Sequence, residues 1–226
     1  MISLFFVGGI LLKIYILAGG PIQYVPDLNN MNESGIIWAG VDRGVHHLLS
    51  MGIPPSEAFG DFDSVTEAEL SLMREKLVHL NMYPAEKNQT DLEIALEWAA
   101  GQKPDEILLF GATGGRADHY LGNIQLLARH IQDEPGTRIC MVDKTNRIFA
   151  ARPGTYTLTK EEDKKYISFI PLTPEVKAIT LKRFKYPLEN RNIKLGSTLC
   201  ISNELLYEEG TFSFKEGILL VVRSSD

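Results

Sequence analysis

The most constraining feature of this chain is an alternation of short apolar runs with amphipathic stretches between residues 13 and 143. The apolar runs have the length of buried strands, and the segments between them repeat apolar residues at helical spacing. Strand–helix alternation of this kind predicts a mainly parallel sheet with helices on both faces. We predict strands at 13–18, 36–40, 78–83, 106–111 and 138–143, and helices at 44–51, 66–76, 90–100 and 117–131.

The pattern changes at about Asn146, where helical periodicity stops and short β-rich runs separated by turn residues begin. Consecutive strands without intervening helices are typical of an antiparallel sandwich or a small barrel. The predicted strands are 155–159, 166–170, 176–182, 197–202, 211–215 and 217–223. We therefore predict an α/β domain over residues 13–145 followed by an all-β sandwich domain over residues 146–226.

Residues 1–12 form an apolar segment ahead of the first predicted strand. A signal peptide or membrane anchor is one interpretation, but no basic region precedes the segment and Lys13 interrupts the apolar stretch. We interpret residues 1–12 as an extra tail and expect no stable membrane association. Our hypothesis is that natural translation begins at Leu12, read as methionine from an alternative start codon.

Charge and cysteine content exclude some classes of function. The 226 residues include 29 acidic and 23 basic side chains, a formal net charge of −6. Nucleic-acid affinity depends largely on Lys and Arg, so we expect no nucleic-acid partner, although a small polyanion such as ATP remains possible. Cys140 and Cys200 lie far apart without zinc-ligand spacing, which indicates buried thiols in a reducing cytoplasm rather than a disulfide.

Carboxylates follow most of the predicted parallel strands. Because ligands of open parallel sheets bind beyond the carboxyl ends of the strands, this recurrence points to one site at one sheet edge. The segments concerned are 41–44, 60–64, 87–91, 112–119 and 143–144. Within them, Thr90 is expected to cap the helix at 90–100, with Glu93 completing a capping box.

Asp61 and Asp63 are two residues apart, so in extended backbone both carboxylates point to the same face. Two such carboxylates repel unless a cation lies between them, and oxygen ligands of this kind suit Mg²⁺. The alternative is an exposed turn with Ser64 as a helix N-cap.

Residues 111–116 form a glycine-rich loop between a predicted strand and a predicted helix. Such a loop can present backbone N–H groups to phosphate, and Arg116 can add a bidentate cation. The loop matches neither the Gly-x-Gly-x-x-Gly pattern nor the Walker A pattern. An ordinary tight turn therefore explains these residues about as well as a phosphate site does. His119 at the helix start is either a packing residue or a proton carrier, and Asn123 lies on the same helical face.

Taken in order, these segments resemble bacterial thiamine pyrophosphokinases. The resemblance runs from about Lys13 to the C-terminus, and its specificity comes from the combination of Gly-Asp-Phe-Asp-Ser with Gly-Gly-Arg-x-Asp-His. The matching segments are 17–20, 41–44, 60–64, 90–91, 114–119 with Asn123, and 202–204.

The resemblance implies a homodimer of two-domain subunits with the active sites at the subunit interface. It implies transfer of the pyrophosphoryl group of ATP to the hydroxyl of thiamine, giving thiamine diphosphate and AMP. By the same resemblance, Mg²⁺ is the cofactor, ATP binds the α/β domain, and thiamine meets the sandwich domain.

The site residues implied by the resemblance fall into three groups. The metal ligands are Asp61, Asp63 and Asp91, which with Asp118 form the catalytic set. The nucleotide and phosphate contacts are Asp42, Lys87, Thr90, Arg116, His119 and Asn123, and the thiamine contacts are Ser202 and Asn203. Asp118 has three open roles: orienting Arg116, binding ribose or contacting the metal.

Two departures from the family concern thiamine. Animal members carry a tryptophan in the second domain that stacks on thiamine, whereas this chain has none after Trp98. Tyr207 and Phe212 are the candidate replacements. Bacterial members often have phenylalanine at the position of Leu205.

Three alternatives stay open at this point. A nucleotide-sugar glycosyltransferase also uses Asp-x-Asp to hold a metal, but it does not account for the Gly-Gly-Arg-x-Asp-His segment. A non-catalytic sensor of nucleotide or thiamine is expected to have lost an acidic ligand, and none is missing here. In a purely structural interpretation, the carboxylates act as helix caps.

Overall fold

The computed structural model describes residues 11–62, 66–67, 71, 75, 80–82, 88–133 and 136–226. The chain divides into two compact units. The described residues of the first unit lie at 11–126 and 136–144, and those of the second at 127–133 and 145–226.

The first unit contains alternating strands and helices. Its strands are β1 (Lys13–Leu17), β2 (Ile36–Val41), β3 (Glu57–Gly60), β4 (Leu80–Met82), β5 (Glu106–Phe110) and β6 (Arg138–Val142). Its helices are α1 (Arg43–Ser50), α2 (Asp91–Gly101) and α3, which begins here at Ala117 and ends at Asp133. Two short 3₁₀ helices, Ile22–Tyr24 and Leu28–Met31, lie between β1 and β2.

The strands of the first unit follow the order β6-β5-β1-β2-β3-β4, and neighbouring strands pair in parallel. Leu17 at the end of β1 is in register with Gly40 of β2 and Phe110 of β5. The strands β1 to β4 therefore lie side by side in chain order, and β5 and β6 lie on the other side of β1. The loops that follow β1 and β5 leave adjacent strands at the same edge of the sheet.

Apolar side chains explain why β1 and β5 lie at the centre of this order. Leu17 and Phe110 are fully buried, as expected for parallel strands covered on both faces. Tyr15, Trp38 and Phe110 form an aromatic cluster with ring centroids 5.2 to 6.0 Å apart. This packing fixes the central strands and hence the positions at which their loops begin.

The second unit contains antiparallel sheets. Its strands are β7 (Asn146–Ala151), β8 (Gly154–Thr159), β9 (Tyr166–Pro171), β10 (Glu175–Lys182), β11 (Leu188–Lys194), β12 (Asn203–Glu204), β13 (Glu209–Phe214) and β14 (Leu219–Ser224). They follow the orders β12-β9-β14-β7 and β11-β10-β13-β8. Phe169 of β9 and Phe212 of β13 meet between the two layers with centroids 5.1 Å apart, so the core of this unit is that of a sandwich.

The predicted succession of an α/β part and a sandwich-like β part is confirmed, and most predicted elements are present with small shifts at their ends. The strand predicted at 197–202 is wrong: this segment contains turns, and the amide of Ile201 donates to the carbonyl of Thr198. The strands β3, β7 and β11 and the two-residue β12 are absent from the sequence prediction. Polar, exposed side chains of β11 give it no apolar alternation, which explains the omission.

Two further expectations concern the cysteines and the helix predicted at 66–76. Neither Cys140 nor Cys200 forms a disulfide within the described residues; Cys200 is buried and Cys140 half-buried. Burial raises the pKa of Cys200 to about 11. Most of the helix predicted at 66–76 lies outside the described residues, although positions 67, 71 and 75 are helical.

Residues 1–10 of the predicted tail also lie outside the described residues. Across the part of the chain that is described, no helix has the length and apolar character needed to span a membrane.

A pair of helical glycines tests the close contact between α1 and β1. A Cβ atom at Gly44 would overlap the carbonyl oxygen of Leu17, whereas a Cβ atom at Gly122 of α3 would meet nothing within 4 Å. We expect Gly44→Ala to lower the free energy of unfolding by about 1–3 kcal/mol, as overpacking does. Gly122→Ala is expected to leave it unchanged or raise it by about 0.5–1 kcal/mol.

Denaturant-induced unfolding of the wild type and both variants checks this expectation. Equal stabilities of the two alanine variants would contradict the contact.

Candidate active site

The loops after β1 and β5 are packed backbone against backbone. The amide of Ala18 donates to the carbonyl of Phe110 at 2.8 Å, and the amide of Gly20 donates to the carbonyl of Gly111 at 3.0 Å. A Cβ atom at Gly20 would overlap the oxygen of Gly111, and one at Gly111 would overlap the oxygen of Ala18. Both positions therefore require glycine. They lie where the order of the parallel strands reverses, and folds of this kind bind ligands at that point.

The glycine-rich loop predicted at 111–116 is present, and the surrounding residues hold it at several points. Gly111, Gly114 and Gly115 all have left-handed backbone, with φ between 62° and 75°. The side-chain amide of Asn123 donates to the carbonyl of Ala112 at 2.8 Å. Asn123, predicted as a nucleotide contact, thus fixes the backbone of the loop.

Thr113, in the middle of this loop, donates its hydroxyl to the carboxylate of Asp143 at 2.6 Å. Asp143 is among the carboxylates predicted at the ends of strands, but neither Thr113 nor Asp143 is among the predicted site residues. Their sequence separation of 30 residues hides the pair, and the only available signal is the position of Asp143 at the end of the strand predicted at 138–143.

Arg116 and Asp118 form a bidentate ion pair at the beginning of α3. Arg116 donates from Nε to Oδ1 of Asp118 at 3.1 Å and from Nη2 to Oδ2 at 2.6 Å. The hydrogen bond from Arg116 lowers the pKa of Asp118 to about 2, and the amide of His119 also donates to this carboxylate. Both side chains of the pair are exposed. Of the three roles left open for Asp118, the geometry favours orienting Arg116.

Asp42 follows β2 and has left-handed backbone with φ 51° and ψ −123°. A Cβ atom at Gly60 would overlap Oδ1 of Asp42, so this carboxylate lies directly against the residue that precedes Asp61. Left-handed backbone is unfavourable for a residue other than glycine and is concentrated at functional sites. The ends of β2 and β3 thus bring two predicted site residues, Asp42 and Asp61, close together.

The extended backbone expected from Asp61 to Asp63 is not present at the intervening residue, Phe62. Phe62 has φ 56° and is buried, so the chain turns there. Asp63 and Lys87 lie outside the described residues.

Asp91 is the first residue of α2 and is half-buried, as is Asp61. Thr90 caps this helix as predicted, accepting a hydrogen bond from the amide of Glu93 at 3.2 Å. Because α2 follows β4 of a parallel sheet, its beginning lies at the carboxyl edge of the strands.

The structure describes two of the three predicted metal ligands. No group of three or more His, Cys, Asp or Glu side chains suited to a metal occurs among the described residues, which include Asp61 and Asp91 but not Asp63. The two predicted ligands that are described, Asp61 and Asp91, are half-buried carboxylates, and this donor chemistry fits a hard divalent cation.

The two predicted thiamine contacts in the second unit differ in accessibility. Asn203 is 2% exposed; its amide donates to the carbonyl of Tyr186 at 2.8 Å, and its oxygen accepts from the amides of Tyr186 and Glu204. Ser202 is exposed, with φ 55°, and its amide donates to Oγ of Ser168 at 2.9 Å. Asn203 therefore holds the turn that presents Ser202.

The structure separates the two aromatic candidates for stacking on thiamine. Phe212 is fully buried and stacks on Tyr156 with centroids 4.7 Å apart, so it cannot meet a ligand. Tyr207 is 58% exposed, with the guanidinium of Arg183 5.5 Å from the centroid of its ring. The proposal of Phe212 is therefore wrong, and Tyr207 alone keeps an accessible ring.

Comparison with known proteins identifies both parts of the chain. Residues 28–141 match the family described as "Thiamin pyrophosphokinase, catalytic domain", and residues 155–219 match "Thiamin pyrophosphokinase, vitamin B1 binding domain". The thiamine pyrophosphokinase of Bacillus subtilis (strain 168) is 52% identical over 213 residues, covering 94% of this chain and 99% of that protein.

Solved structures give the same relationship. The crystal structure of the Bacillus subtilis protein matches with a TM-score of 0.89 and 51% identity, over 95% of this chain and 99% of that one. The thiamin pyrophosphokinase of Geobacillus thermodenitrificans matches with a TM-score of 0.85 and 47% identity, over 95% and 98%. With both of its domain patterns present and relatives this similar along nearly its whole length, the chain belongs to the thiamine pyrophosphokinase family.

Proposed function

We propose that this protein transfers the pyrophosphoryl group of ATP to the hydroxyl of thiamine, giving thiamine diphosphate and AMP. The observation that carries the proposal is the match to both domains of the family, with 52% identity to a thiamine pyrophosphokinase over nearly the whole chain. The site geometry agrees with it, since charged residues follow the neighbouring parallel strands β2 and β3, and likewise β5 and β6, at one edge of the first unit. A glycosyltransferase accounts for neither domain match.

The first unit supplies the groups that such a transfer needs. Phosphoryl-type transfer depends on in-line positioning and on charge stabilisation of the phosphate oxygens. Arg116, oriented by Asp118, offers a fixed guanidinium beside the glycine-rich loop and the N-terminus of α3. We assign the surrounding nucleotide and phosphate contacts to Asp42, Lys87, Thr90, His119 and Asn123.

We assign Asp61, Asp63 and Asp91 as ligands of a divalent cation, Mg²⁺. When bound there, the ion would offset negative charge on the β- and γ-phosphates. The protein's own contribution is to place carboxylates after β3 and at the start of α2, where they follow parallel strands of one sheet. We infer that residues 13–145 form the catalytic domain.

The second unit, residues 146–226 in our proposal, presents thiamine contacts from the turn at Ser202, with Tyr207 as the stacking aromatic. Large apolar side chains between Tyr186 and Tyr207 remain exposed, namely Leu195, Leu199, Ile201 and Leu206. Exposed apolar surface of this kind is typical of an interaction site. It supports a homodimer with active sites at the subunit interface. Two described cysteines without a disulfide agree with a cytoplasmic location.

The direct test is incubation of the purified protein with ATP, Mg²⁺ and thiamine. We expect AMP and thiamine diphosphate to form in equal amounts, and AMP release to require thiamine. A protein that binds Mg-ATP or thiamine without turnover would instead be a sensor. Hydrolysis or transfer of a nucleotide sugar in place of this reaction would favour the glycosyltransferase.

Asp91→Asn tests the metal assignment. The change keeps the side-chain shape but removes a charge from a proposed ligand, so we expect turnover to fall about 100-fold or more, as when one electrostatic stabiliser is lost. Asp133→Asn, at the exposed end of α3, is the matched control and should retain wild-type turnover. Circular dichroism confirms that both variants fold; wild-type turnover of Asp91→Asn would rule out the assignment.

Arg116→Gln tests the orienting ion pair without substrate. Loss of the cation removes the main cause of the low pKa of Asp118, so that pKa should rise from about 2 toward the ordinary 3.8. Carbon-13 NMR titration of the carboxyl group measures it in both proteins. An unchanged pKa in the variant would show that Arg116 does not hold Asp118 in solution.

A further inference from the structure

We propose that Asp143 is a positioning residue that, through the hydroxyl of Thr113, fixes the loop that carries Arg116. This inference rests on the proposed function, because it assigns a part in that reaction to a pair that touches no substrate. It concerns a single buried hydrogen bond, from Oγ1 of Thr113 to Oδ2 of Asp143 at 2.6 Å.

Thr113 and Asp143 are both buried although their side chains are polar. Thr113 is 6% exposed and Asp143 is 7% exposed. Burial of an ionised carboxylate is unfavourable unless hydrogen bonds compensate it, and an O–H to carboxylate bond of this length is among the strong ones. Asp143 also acts on Tyr120 of α3, whose pKa is raised by burial and by the charge of this carboxylate. Asp143 therefore lies close to both the glycine-rich loop and α3.

The loop needs external support because its backbone is unusually free. Gly111, Gly114 and Gly115 are all in left-handed conformation, and glycine has the largest conformational freedom of any residue. The amide of Gly20 holds the carbonyl of Gly111, and Asn123 holds that of Ala112.

Ahead of Arg116 in the chain, the hydrogen bond of Thr113 is the nearest side-chain attachment of the loop, with only two glycines between them. On the other side, the carbonyl of Arg116 accepts from the amide of Tyr120 at 3.2 Å, so α3 holds the far end of the loop. Loss of the bond would release the side of the loop at Gly114 and Gly115, and Arg116 could then shift about its remaining contact with α3. A displacement of about 1 Å from the reacting geometry can cost about 100-fold in rate. Asp143 thus acts on the reaction through the position of Arg116 and not by contact with ATP or thiamine.

Four threonine and aspartate variants separate positioning from general stability. Thr113→Val removes the hydroxyl and keeps the shape, Thr113→Ser keeps the hydroxyl, and Asp143→Asn removes the charge. Thr137→Val is the matched control: Thr137 is also buried, donates to the carbonyl of Pro104 at 2.8 Å, and precedes β6 at the opposite end of the strand from Asp143.

Steady-state kinetics is the first readout. We expect Thr113→Val and Asp143→Asn to lower kcat about 10- to 100-fold, with the KM for thiamine within about twofold of wild type. Thr113→Ser should restore kcat to within about threefold, and Thr137→Val should leave it at the wild-type value. Wild-type kcat in Thr113→Val, or an equal loss in Thr113→Ser, would overturn the proposal. An equal loss of kcat in Thr137→Val would make the role structural and also overturn it.

Hydrogen exchange of the amides at 111–116 is the second readout and needs no substrate. We expect faster exchange in Thr113→Val than in wild type, with protection recovered in Thr113→Ser. Unchanged exchange in Thr113→Val would contradict the positioning role even if the enzyme is active. If wild type releases no AMP with thiamine, the proposed function fails, while the exchange comparison still decides whether this bond fixes the loop.

Discussion

The close approach of two backbones, those following β1 and β5, is the constraint on which the site depends. The amide of Gly20 reaches the carbonyl of Gly111, and neither position leaves room for a side chain. Because the strand order reverses at β1, this contact lies where parallel α/β sheets bind ligands. The glycine-rich loop begins at the contact and leads to Arg116, so the position of the main proposed phosphate ligand follows from the packing of the central strands.

Around this contact, three charged groups among the described residues of the edge lie against a neighbour. Asp118 holds Arg116 in bidentate geometry, Asp42 lies against Gly60, and Asp143 accepts from Thr113. Preorganised charge is effective in transfer reactions because little reorganisation is needed when the transition state forms. In the second unit, Asn203 likewise supports the turn that carries Ser202, through its hydrogen bonds with the backbone of Tyr186.

The sequence predicted the architecture well where strands are continuously apolar or where a helix begins with a capping pattern. The strands β1 and β5 are apolar on both faces, and Thr90 is the N-cap expected from its spacing to Glu93. It failed where structure depends on long-range contacts or on unusual backbone. The polar strand β11 has no apolar pattern, the left-handed Phe62 invalidates the argument from extended backbone, and the pairing of Thr113 with Asp143 spans 30 residues. Phe212 was a plausible ligand by type, but it belongs to the core.

The fate of labelled phosphorus tests the central claim, that this sheet edge transfers a pyrophosphoryl group intact. The protein is supplied with thiamine, Mg²⁺ and ATP labelled at either the α- or the β-phosphorus. The account predicts that all α label appears in AMP and all β label in thiamine diphosphate. Formation of ADP, or α label in the thiamine product, would contradict it.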